Sequence, residues 1–195
     1  MGLFGIMSYD EAMETLIEGT ASKSVLEKAY KRVKKNTYNE SQGTVQLHYC
    51  FGQLYGIEKL EGSAEKRIFG SVWLSVDYKG DFDDDNLQLV KRFLTSKPDF
   101  NRQVNETALN MQPDNKDYKY ATVYLIFAYL YGCGFEPDIG KAEEYAEKSE
   151  ALGDEKAAVW KARIEAVKTA NKCRCGGDQT IYMMCYHYGV KEGRI

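Results

Sequence analysis

The chain has 195 residues, enough to bury a sizeable core within one domain. Its 26 basic and 29 acidic residues leave a net charge of −3, so no bulk field favours nucleic acid or an anionic membrane surface. The longest apolar run, Ala121 to Tyr131, is too short and too rich in tyrosine to span a bilayer.

The first residues, MGLFGIMSYDEAM, lack a basic region followed by a long apolar run, which argues against a signal peptide. Ser8-Tyr9-Asp10-Glu11 is a capping-box pattern and predicts a helix to about Glu18, ended by Gly19. Ser22 or Ser24 opens the next, to about Lys35, with Val25, Leu26, Ala29, Tyr30 and Val33 on its apolar side. Asn36 to Gly43 reads as a polar loop, followed by helices over about 44–55 and 63–78. Asp83, Asp84 and Asp85 head a helix carrying Leu87, Val90, Phe93 and Leu94. Pro98 suits a first helical position and starts another, to about Leu109. After a connector at Met111 to Lys116, helices are predicted over about 117–132, 139–152 and 155–171. Gly176-Gly177 breaks the chain before a terminal helix.

The most informative stretch is Ala121 to Ala157. Leu125, Tyr129 and Gly132 lie on one side of a first helix. Gly132 and Gly134 permit a tight turn with positive φ, Asp138 can cap a second helix, and Ala142 and Tyr145 follow at helical spacing. Gly153 ends that helix, Asp154 can cap a third, and Ala157 is small enough for close packing. A helix–turn–helix of this kind cannot bury its own apolar face and must stack on neighbours.

On these residues the stretch resembles the Sel-one-like repeat, a relative of the tetratricopeptide repeat. Ala121, Leu125, Tyr129, Gly132, Gly134, Asp138, Lys141, Ala142, Tyr145, Gly153 and Ala157 meet its pattern. Ile126, Phe135 and Ser149-Glu150 depart from it, standing where the family has glycine, valine and Ala-Ala. A degenerate copy lies upstream, where Phe51-Gly52-Gln53-Leu54-Tyr55 matches the Leu-Gly-x-x-Tyr step. Thr180 to Val190 echoes Thr122 to Gly132. The resemblance covers about half of the chain. It implies an all-α solenoid with a right-handed superhelix. Within one domain over 1–195 it implies N-terminal helices (1–43), a degenerate repeat (44–82), a helical pair (83–116), the best repeat (117–172) and a capping segment (173–195).

Four other groups have chemical alternatives. Cys173, Cys175, Cys185 and His187 offer a Cys3His zinc set, but their spacing is not that of a zinc knuckle. A terminal helix would also splay Cys185 from His187, so free thiols are expected. Asp81 to Asn86 is short of a calcium loop, with Asn86 where glycine is required and Arg92 where the closing glutamate is required. Lys28, Lys31, Arg32 and Lys35 share a helix face that reads as solvated, because nucleic acid wants a wider basic field with aromatics interleaved. His48 and His187, the two histidines, are far apart, and Cys50 points away from His48 on a helix.

The sequence therefore predicts a non-enzymatic protein–protein interaction module with no cofactor and no metal. The five irregularly spaced cysteines suit a reducing cytoplasm. Its partner is another protein, as for an adaptor, a regulator or a bacterial immunity protein that blocks a cognate toxin or effector. The alternatives are an enzyme whose site has no recognisable motif and a zinc-stabilised binding module. The aromatic stripe along the first helix of the best repeat reads mainly as core. Such helices also line the concave face of solenoids, so Tyr120, Tyr124 and Tyr131 are the candidate partner anchors. Asp83, Asp84 and Asp85 are the candidates for steering a basic partner.

Overall fold

The computed structural model describes residues 7–36, 42–58, 64–77 and 84–172. Among them are nine α-helices and no strand. The fold is all-α, and no helix among the described residues is long and apolar enough to cross a membrane. The chain divides into two compact units, Met1–Thr107 and Ala108–Ile195.

The first unit holds α1 (Tyr9–Glu18), α2 (Lys23–Lys34), α3 (Gln42–Leu54), α4 (Ala64–Asp77) and α5 (Asp84–Thr95), with α6 (Pro98–Leu109) running across the boundary. Packing follows chain order from α1 to α5, and α5 also returns to α3 and α1. The capping box forms: Ser8 accepts from the Glu11 backbone N–H and the Glu11 carboxylate accepts from that of Ser8. Gly19 closes α1 at φ 63°. The apolar residues of α2 point inward as their spacing requires, Leu26, Ala29, Tyr30 and Val33 all being buried. Gly52 on α3 leaves room for a neighbour, since a Cβ there would stand 2.7 Å from the Tyr30 hydroxyl. Phe51, Phe93 and Phe100 pack ring against ring across α3, α5 and α6.

The last three carbonyls of α1 each accept a bond from elsewhere in the unit. Tyr55 donates to Leu16, Ser96 to Ile17 at 2.9 Å and Lys97 to Glu18 at 2.9 Å. Burial pushes the Tyr55 hydroxyl pKa up and keeps it a donor. A Cβ at Gly19 would stand 2.6 Å from the Lys97 Nζ, so another residue there would shift that ammonium as well as strain φ.

A second node changes an expected boundary. The predicted loop reached Gly43, yet α3 begins at Gln42. The buried Asn86 on α5 accepts from the Thr44 hydroxyl at 3.1 Å and donates to the Ser75 carbonyl at 2.6 Å. This joins α3, α4 and α5, and holds the first turn of α3 in place.

The second unit holds α7 (Tyr118–Tyr131), α8 (Ile139–Ala151) and α9 (Ala157–Lys172). Ten of the 14 residues of α7 are buried, so the helix has no polar face turned to solvent. The unit's other helices follow in order, α8 on α7 and α9 on α8. Trp160 and Ile164 on α9 are fully buried, and Arg163 beside them donates to the Tyr131 hydroxyl at 3.2 Å.

Candidate partner-binding surface

The turn between α7 and α8 is built by short-range rules. Gly132 ends α7 at φ 68°, and the Cys133 N–H returns to the Ala128 carbonyl at 2.8 Å. Gly134 follows at φ 79°. The Asp138 N–H reaches back to the Tyr129 carbonyl at 3.0 Å, and its carboxylate caps α8 by accepting from the Lys141 N–H at 2.9 Å. Ala142 has no exposed surface, which fits a helix crossing where only a small side chain has room. At the next turn Gly153 takes φ 72°, and the Asp154 carboxylate accepts from the Lys156 N–H at 3.1 Å. Ser149 is fully buried and donates to Asp154 at 2.7 Å, while Lys119 approaches the same carboxylate at 3.7 Å. The departure at Ser149 thus has its own local partner, which alanine would lack.

On the outside of this hairpin three half-buried rings lie nearly parallel. Phe135 stacks on Tyr129 at 4.4 Å and 12°, and Tyr129 on Tyr145 at 5.8 Å and 11°. Lys148 closes the row with its ammonium 4.5 Å from the Tyr145 ring centre. Glu144 ties the rim together, accepting from Lys148 at 2.7 Å and from Lys141 at 2.9 Å. These two bonds, that from Lys148 the larger, hold the Glu144 carboxyl down to about 2. The result is an aromatic ledge with charged edges. It spans the end of α7, the turn and the middle of α8.

The predicted anchors fare differently. Tyr120 is half-buried on the first turn of α7. Tyr124 has no exposed surface, and burial drives its hydroxyl pKa up. Tyr131 is 7% exposed and accepts from the buried Arg163. Neither ring offers area to a partner while α7 stays packed. Asp85 is exposed on the first turn of α5. Asp83 and the side chain of Asp84 lie outside the described residues, as do Cys173, Cys175, Cys185 and His187.

Compared with known proteins, the chain matches no family model, no curated protein and no solved structure.

Among the described residues no three His, Cys, Asp or Glu side chains converge as a metal site. His48 is buried, with Nε2 3.4 Å from the Tyr9 hydroxyl, and desolvation lowers its pKa to about 4. Cys50 is fully buried and its thiol is pushed up by the same cause, the opposite of an activated nucleophile. Sequence reasoning placed Tyr129 and Tyr145 only as repeat positions, and Phe135 only as a departure. Their joint presence was the available signal, because phenylalanine at the valine position lengthens the row of rings.

Proposed function

We propose that this chain is a non-enzymatic binding module that recognises another protein, with Sel-one-like units stacked as a right-handed helical solenoid. The observation that carries the reading is the ledge of Phe135, Tyr129 and Tyr145. Rigid rings, two of them with polar tips, partly exposed and already ordered by stacking, lose little conformational entropy on meeting a partner. The hairpin beneath supports the repeat reading through Gly132, Gly134, Asp138 and Ala142, each in the role its position in the repeat calls for. In the first unit, Gly52 supports it by admitting the Tyr30 ring. The partner is a folded protein or a peptide. Its biological setting is that of a cytoplasmic adaptor or regulator, or of an immunity protein facing a cognate toxin.

The test is to isolate proteins retained by the tagged chain and to repeat the capture with Tyr145→Ala and with the exposed control Glu155→Ala. The reading expects a protein kept by wild type and by the control but lost with Tyr145→Ala, at a cost of about 2 kcal/mol or more in affinity. Turnover of a small molecule with no partner present would refute it.

A further inference from the structure

Charge on this near-neutral chain is concentrated on one helix. Lys23, Lys28, Lys31, Arg32, Lys34 and Lys35 fall within 13 consecutive residues, where Glu27 is the single acid. The buried side chains of α2 are Leu26, Ala29, Tyr30 and Val33, so Lys28, Lys31 and Lys35 lie on the opposite face, with Arg32 on its flank. The three lysines are exposed and Arg32 is half-buried. Their spacing sets like charges three and four residues apart, an arrangement that opposes helix formation. Elsewhere the structure neutralises such groups: Lys34 pairs with Glu58, Arg92 with Glu14 at 2.5 Å, and Lys141 and Lys148 with Glu144. Lys28, Lys31, Arg32 and Lys35 have no ion pair among the described residues. The helix dipole favours cations only in the last turn, and so does not account for Lys28.

We propose that the outward face of α2 is a second docking surface, for a short acidic helix of a protein partner. The strip from Lys28 to Lys35 is about 10 Å long, which suits carboxylates repeated at i, i+3 and i+7 on the ligand. Complementarity is local. Beyond the Debye length of about 8 Å the field of the strip is screened, so it holds a short acidic segment and adds nothing for the rest of a long polyanion. The exposed face of the strip also carries no aromatic ring for base stacking and no apolar side chain to enter a bilayer. The inference rests on the protein-binding reading but uses a different helix from the ledge, so the two fail separately.

The probe is a fluorescent helical peptide with glutamates at i, i+3 and i+7, titrated by anisotropy against the full chain. It is compared with oligouridine RNA and with vesicles of phosphatidylserine and phosphatidylcholine. The chain with Lys28→Gln, Lys31→Gln and Lys35→Gln combined is expected to bind the peptide about tenfold or more weakly, and high salt should weaken wild-type binding alike. Tyr145→Ala should leave the peptide affinity unchanged. Because the triple substitution removes repulsion, its melting temperature should not fall, which separates lost binding from lost folding. Equal peptide affinity in wild type and triple variant, no binding to wild type at low salt, or tighter binding of the RNA or the vesicles than of the peptide would each overturn the proposal.

Discussion

His48 makes the stability of the first unit depend on pH in a way that can be calculated. The ring is 2% exposed, its Nδ1 has no hydrogen-bond partner, and desolvation lowers its pKa from 6.5 to about 4. Between those values the unfolded chain binds a proton that the folded chain refuses, so stability rises with pH across the window and is lost as pH falls through it. At about 1.4 kcal/mol per pH unit, wild type should lose about 3 kcal/mol between pH 7 and pH 4 from this group alone. His48→Gln keeps a polar side chain of similar reach without the titration. The assay is urea unfolding at several pH values in a Trp160→Phe background, where the buried Trp73 remains the sole tryptophan and reports on the first unit. Carboxylates add their own slope to both proteins, so the measured quantity is the difference between the two curves. It should be flat above pH 7 and should grow by about 3 kcal/mol toward pH 4. Parallel curves would show that the imidazole takes up its proton in the folded state, and would refute the argument.

Gly19→Ala should destabilise the first unit by about 2 kcal/mol, combining left-handed strain with displacement of the Lys97 ammonium from the end of α1. Urea unfolding checks it, and an unchanged midpoint would mean that the latch is loose. Asn86→Leu should cost about 2 kcal/mol by removing the bonds to the Thr44 hydroxyl and the Ser75 carbonyl, with hydrogen exchange rising at the start of α3. Ala142→Glu should cost about 3 kcal/mol or more, because the charge would enter a crossing with no exposed surface. The readout is the melting of the second unit followed through Trp160 in a Trp73→Phe background, and an unshifted melt would place residue 142 outside the packed crossing.

What the sequence disclosed depended on how far apart in the chain the cooperating residues lie. The capping box at Ser8 and Glu11, the helix stop at Gly19, the double-glycine turn and the cap at Asp138 each act within a few residues. Single-residue rules therefore find them. Helix periodicity likewise placed Leu26, Ala29, Tyr30 and Val33 inside. It could not orient α7, because a helix apolar all round has no polar side from which to infer the buried one. The tyrosines chosen there as anchors include two that face inward, Tyr124 and Tyr131. The half-buried rings at Tyr129, Phe135 and Tyr145 meet only once the turn has folded. The interior role of Asn86 was hidden for a similar reason: its partner Thr44 is 42 residues away, and nothing near it in sequence marks an asparagine as interior.

The latch on α1 sets an order of events for a chain growing on a ribosome. Two of its three donors, Ser96 and Lys97, come 79 residues after the carbonyls they hold. At roughly 5–20 residues per second, α1 leaves the exit tunnel about 4–16 s before those donors leave it in their turn. Through that interval Ala12, Met13, Leu16 and Ile17 present an apolar stripe with its closing contacts still to come. α1 is thus made well before its last contacts exist, and the carbonyls at its end wait for their donors until residue 97 is free to fold back.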